Sequence, residues 1–83
     1  MLTIYGREDC PFCQKAKEFA DVYFEDFEYV TTPKGSEVFK DLKEQVFQTY
    51  GKEVITVPQI FYKDIHIGGY EDLVNWTLRE DTP

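Results

Sequence analysis

The sequence predicts an α/β sandwich of minimal size: a four-stranded mixed sheet flanked by three helices, in the order β-α-β-α-β-β-α. Three observations carry this expectation. Short β-branched and aromatic runs alternate with stretches whose apolar residues recur at helical spacing. The first two runs, 2–5 and 27–30, are separated by a single helix, the arrangement of parallel neighbours joined by a right-handed crossover. The last two, 59–62 and 65–67, are separated only by Lys63-Asp64, the connection of an antiparallel hairpin. Helices must then cover both faces of the sheet.

Each element has a local reason. "LTIY" (2–5) is β-branched and aromatic and runs into Gly6, which reads as a buried strand. Pro11 suits the first turn of a helix from about Pro11 to Tyr23, where no N–H is needed and the ring presets φ. On that helix Cys13, Ala16, Ala20 and Tyr23 form one stripe with Phe19 beside it, while Lys15, Lys17 and Glu18 face outward. "FEYV" (27–30) is the second strand, and "TTPKGS" (31–36) is turn chemistry ending in an N-cap at Ser36. The second helix, 37–50, carries Val38, Leu42, Val46 and Tyr50, its stripe widened by Phe39 and Phe47, and Gly51 stops it. After the hairpin, "GG" (68–69) leads into a last helix over 71–80 with Leu73, Trp76 and Leu78 turned inward. "EDTP" (80–83) reads as a frayed tail.

Composition bounds the function. Eighty-three residues make one domain, 1–83, near the lower limit for a self-sufficient core, and seven Phe, six Tyr and one Trp supply the large side chains. A formal net charge of −7 argues against nucleic acid and anionic membranes and is compatible with partners presenting basic patches. There is no apolar run of signal-peptide or membrane-span character, so a cytoplasmic, reducing location is expected. In that compartment a permanent structural disulfide is not expected.

Against this background stands "GREDCPFCQKAKEFA" (6–20), which holds the chain's two cysteines, Cys10 and Cys13. A helix beginning at Pro11 puts Cys10 at the N-cap, its sulfur facing unsatisfied N–H groups and the positive end of the helix dipole. Both favour a thiolate, the nucleophilic form, with Arg7, Lys15 and Lys17 assisting and Glu8 and Asp9 opposing. Cys13, one turn in and on the buried stripe, should hold its proton. The pair is therefore asymmetric: Cys10 attacks and Cys13 resolves the mixed disulfide. Zinc is the other chemistry two cysteines serve, but it needs four ligands, and with His66 the chain offers three, so a closed site requires a dimer.

"CPFC" after a first strand, "TVPQIF" (56–61) and "HIGGYEDL" (66–73) together resemble the glutaredoxins of the thioredoxin superfamily, in the family's order and along nearly the whole chain. The resemblance implies a thioredoxin-like (glutaredoxin) fold and a glutathione-dependent thiol–disulfide oxidoreductase without a tightly bound cofactor. It implies a cis proline at Pro58, aiming the backbone of Thr56 and Val57 at an incoming peptide as an added strand would require. It implies a glutathione site: Arg7 for a carboxylate, Phe12 walling the sulfur pocket, and Gly69, Tyr70 and Glu71 receiving the γ-glutamyl carboxylate at a helix start. The partners implied are glutathione and disulfide-bearing or glutathionylated proteins, with ribonucleotide reductase among the recipients by family analogy, and a monomeric state.

The chain departs from the family pattern in places. Phe12 lacks the hydroxyl of the common motif, Arg7 replaces a lysine, Glu71 is longer than the usual Asp or Ser, and "GKEVI" (51–55) lengthens the link into the Thr-Val-Pro turn. Gln45 and Lys52 therefore receive no role. His66 reads as a half-exposed strand residue and Trp76 as core. Two alternatives remain open at this stage: a cluster- or metal-bridged dimer acting as carrier or sensor, and a redoxin recharged by thioredoxin reductase.

Overall fold

The structure, a computed structural model, describes residues 1–53 and 56–80. Its elements are β1 (Leu2–Gly6), α1 (Pro11–Tyr23), β2 (Phe27–Thr31), α2 (Glu37–Tyr50), β3 (Gln59–Tyr62), β4 (Ile65–Gly68) and α3 (Tyr70–Glu80). The four strands form one mixed sheet in the order β2-β1-β3-β4. β1 pairs in parallel with β2, Leu2 opposite Phe27, and antiparallel with β3, Ile4 opposite Ile60. The β3–β4 hairpin turns at Lys63-Asp64, where Lys63 itself adopts the left-handed φ of 54° that Gly or Asn usually supplies. The end of the link at 54–55 and the tail at 81–83 lie outside the described residues.

Alternation along β1 divides the core in two. Leu2 and Ile4 point to the face covered by α1 and α3, where they bury Ala16, Ala20, Ile60 and Leu73. Tyr5 points to the other face and packs with Phe39, Tyr50 and Phe61 around Leu42 and Val46 of α2. The small Ala16 and Ala20 allow α1 to lie close on the sheet.

Four apolar residues expected inward lie outward. Val38 is 40% exposed, Phe47 57%, Tyr23 58% and Leu78 59%. Phe47 sits a hundred-degree step round the helix from Val46, outside the stripe that Leu42 and Val46 define. Leu78 is likewise off the stripe through Leu73, which continues instead to Thr77, buried with its hydroxyl donating to the Leu73 carbonyl at 2.9 Å. Tyr23 ends α1, its ring lying 4.5 Å from that of Phe19. Val38 is in the first turn of α2, short of the core. Trp76 is half-buried, 5.1 Å from the ring of Tyr62.

Candidate active site

The chain leaves β1 at Gly6, crosses four residues and enters α1 with Cys10 as N-cap, φ −109° and ψ 110°. The Cys10 sulfur accepts the N–H of Cys13 at 3.2 Å. Its thiol donates to the Val57 carbonyl at 3.6 Å, which joins the helix start to the Thr-Val-Pro turn. Cys10 is half-buried and Cys13 fully buried, and both are free thiols. An N–H aimed at a sulfur stabilises negative charge as it develops there.

Cys13 is the opposite case. Burial first, then donation to the Cys10 sulfur, push its thiol up to about 12, against the pull of the Arg7 backbone N–H. Near neutral pH it keeps its proton. The two sulfurs thus differ in access, Cys10 half-buried and Cys13 fully buried.

The loop that delivers Cys10 is pinned at one atom. The Arg7 carbonyl accepts the Cys10 N–H at 3.4 Å, the Gln14 amide at 3.1 Å and the Tyr29 hydroxyl at 3.3 Å. Burial, with the two cysteines next, raises the Tyr29 phenol, which therefore stays a donor. Beneath it Gly6 leaves no space: a Cβ there would stand 2.6 Å from the Tyr29 hydroxyl and 3.0 Å from Cys13 Sγ. Sequence reasoning missed Gln14, Tyr29 and Gly6; only Gly6, between a strand and the cysteine motif, gave a signal.

The structure brings seven of the expected residues into one cleft of about 380 Å³: Phe12, the Thr56–Pro58 turn and Gly69–Glu71 at the start of α3. The Val57–Pro58 bond is cis. Phe12, 52% exposed, stands 6.3 Å from the Tyr70 ring, with the Lys15 ammonium 5.2 Å from its own ring centre. Asp72 completes the lining and was not anticipated. Its carboxylate accepts the Gly69 N–H at 3.0 Å, so that donor is already engaged, and the free N–H groups of the first turn begin at Tyr70 and Glu71. Gly68, at φ 121°, is required there, since a Cβ would lie 2.5 Å from the same carboxylate oxygen.

Arg7 lies apart from these. Its Nε donates to the Thr32 carbonyl at 2.7 Å and its guanidinium covers the Phe39 ring at 5.0 Å. It lines a second concavity of about 430 Å³ with Glu8, Asp9, Thr31, Pro33 and Lys34. Lys17, expected to act on the cysteines, covers the Tyr29 ring at 4.9 Å. Among the described residues no group of three or more His, Cys, Asp or Glu gathers as a metal would need, and no helix is long and apolar enough to cross a membrane.

Comparison with known proteins decides the family. Residues 2–67 match the Glutaredoxin family model, and the chain is 42% identical over 77 residues to Glutaredoxin 1 of Escherichia coli (strain K12), covering 89% of this chain and 88% of that protein. The chain belongs to the glutaredoxin family. Among solved structures it superposes on Glutaredoxin 1 from Francisella tularensis, complexed with cacodylate, with a TM-score of 0.80 at 27% identity over 99% of this chain and 96% of that one. A buckwheat glutaredoxin–glutathione complex shares the fold, with a TM-score of 0.72 at 20% identity over 96% of this chain and 69% of that one. This glutaredoxin is accordingly a thiol–disulfide oxidoreductase of the thioredoxin fold.

Proposed function

We propose that this glutaredoxin takes its electrons from glutathione and reduces both protein disulfides and glutathionylated proteins. The observation that carries the reading is the asymmetric pair: an accessible Cys10 sulfur with a donor N–H, backed by a buried Cys13 that keeps its proton, beside the Val57 carbonyl.

The electron balance is simple. Cys10 as thiolate attacks one sulfur of a protein disulfide, forming a mixed disulfide and expelling the other sulfur as a thiol. Cys13 gives up its proton and attacks the Cys10 sulfur, releasing the second substrate thiol and leaving a Cys10–Cys13 disulfide. One glutathione thiolate opens that bond at Cys10 and Cys13 regains its proton. A second attacks the glutathione sulfur, releasing oxidised glutathione and returning Cys10. A glutathionylated substrate enters at the last intermediate and needs Cys10 alone.

Recognition follows from the cleft. The tripeptide extends along Val57 as a short added strand, with its γ-glutamyl carboxylate on the N–H groups of Tyr70 and Glu71. Phe12 and Tyr70 wall the sulfur. The acidic side chains of Glu71 and Asp72 suit the ligand's ammonium, and Arg7 meets the remaining carboxylate from the neighbouring concavity. We extend the proposal to ribonucleotide reductase as a disulfide-bearing recipient, to a cytoplasmic location and to a monomer.

The test supplies each reductant separately. With a disulfide substrate, turnover is followed with glutathione, glutathione reductase and NADPH, then with thioredoxin reductase and NADPH. The proposal expects turnover in the first mixture. Turnover only in the second contradicts it.

A further inference from the structure

Gln59 opens β3 directly after the cis proline and is 8% exposed. A buried amide must place both ends, and this one does. Its Nε2 donates back to the Thr56 carbonyl at 2.9 Å, closing a ring around the turn. Its Oε1 lies 2.7 Å from His66 Nε2 across the hairpin. An amide oxygen only accepts, so His66 carries its hydrogen on Nε2. The imidazole is held in turn between Phe61, 4.8 Å away, and Tyr50, 5.4 Å away. Its Nδ1 is buried with no hydrogen-bond partner among the described residues.

These contacts form a line from the α2 side of the sheet to the reactive sulfur. His66 fixes the rotation of the Gln59 amide, and Gln59 fixes the Thr56 carbonyl. The next residue, Val57, holds the carbonyl that meets the Cys10 thiol at 3.6 Å. Fold stability is a poor reason for the arrangement. Thr56 as a residue is exposed, so solvent competes for its polar groups. The bond's net gain is comparable to the rotamer entropy a buried Gln loses. What water cannot do is hold the turn at one distance from Cys10.

We propose that Gln59 and His66 are positioning residues: through the Thr56 carbonyl they lock the turn so that Val57 presents its backbone edge to a substrate or glutathione at a fixed distance from Cys10. The proposal rests on the reading that glutathione and substrate pair at Val57. Neither residue touches the reacting atoms. Both act on how well a tripeptide pairs along Val57, a binding contact made alike before and during the exchange, so that its loss is read in KM.

The test uses the full chain and two readouts. One is KM and kcat for a glutathionylated peptide with glutathione as reductant; the other is the rate at which iodoacetamide alkylates Cys10, a reaction that needs no pairing at Val57. Gln59→Leu is expected to raise KM by roughly tenfold, as a lost positioning contact does, with the alkylation rate unchanged. His66→Phe should do the same, and His66→Gln, whose amide also donates to Gln59, should recover most of the loss. Gln59→Glu keeps an acceptor for His66 but has no donor for Thr56; it should match Gln59→Leu and serves if that variant does not fold. An unchanged KM in the folded Gln59 variant overturns the proposal, as does alkylation slowed by the same factor, which makes both residues ordinary scaffold. Wild-type protein inactive with glutathione sinks the glutathione reading; active wild type with indifferent variants sinks this one alone.

Discussion

Gly6 and Cys13 touch with no room for a side chain between them: a Cβ on Gly6 would stand 3.0 Å from the Cys13 sulfur. The end of β1 and the first turn of α1 are thereby set against each other, and the buried Cys13 thiol lies against backbone. Gly6→Ala must displace either Cys13 or the Tyr29 hydroxyl. Overpacking of this kind costs about 1–3 kcal/mol. Urea denaturation should show that loss, and, with Cys13 as the proposed resolving thiol, reduction of protein disulfides should fall more than reduction of glutathionylated peptides.

The division of labour between the thiols predicts an unequal pair of variants. Cys10→Ser should lower every exchange reaction on the order of 10³-fold or more, as removal of a covalent nucleophile does. Cys13→Ser should keep turnover of glutathionylated peptides while losing most reduction of protein disulfides. Steady-state assays of both substrates check this. An inactive Cys13→Ser beside an active Cys10→Ser reverses the assignment.

Asp72 closes the start of α3 by accepting the Gly69 N–H at 3.0 Å. Asp72→Ala removes that acceptor and should cost about 1 kcal/mol, the usual value of a helix-terminal side-chain cap. Asp72→Asn retains an acceptor oxygen and should cost less. Thermal unfolding of the two variants side by side separates capping from charge.

His66 carries a pH dependence of definite sign. Burial first, then the nearby Lys52 charge, lower its pKa below 6.5, with Asp72 pulling the other way. The unfolded chain then binds a proton more readily than the folded one. The stability linked to His66 is complete above the unfolded value of about 6.5 and declines as pH falls through the window beneath it. Denaturation midpoints at pH 7.5 and 5.5 should differ less in His66→Gln than in the wild type.

Much of this was legible in the chain, and the boundary is physical. The redox pair was readable because its geometry is local: a proline in the first turn fixes where α1 begins, and three residues then set Cys10 against the Cys13 N–H. The hairpin and the parallel β1–β2 pair followed from connection length alone. Spacing overreached where a stripe was drawn too wide, as at Phe47 and Leu78, because a helix on a small sheet buries a narrow face. Residues that act through space were invisible. Tyr29 and Gln14 converge on the Arg7 carbonyl from 22 and 7 positions away. Nothing local in "QIF" or "HIG" announces that Gln59 and His66 share a hydrogen bond. The motif assigns Arg7 to a carboxylate of glutathione, but nothing local shows that Thr32 and Phe39 hold its side chain beside a second concavity.

The central claim is that one sulfur is available for attack while its neighbour keeps its proton, with the Cys13 thiol held near 12. Competitive alkylation of the reduced native protein across pH 5 to 9, with mass mapping of each cysteine, measures this directly. Cys10 should be labelled throughout, and Cys13 should stay unlabelled until the protein unfolds. Labelling of Cys13 in the folded protein at a rate equal to or above that of Cys10 contradicts the account.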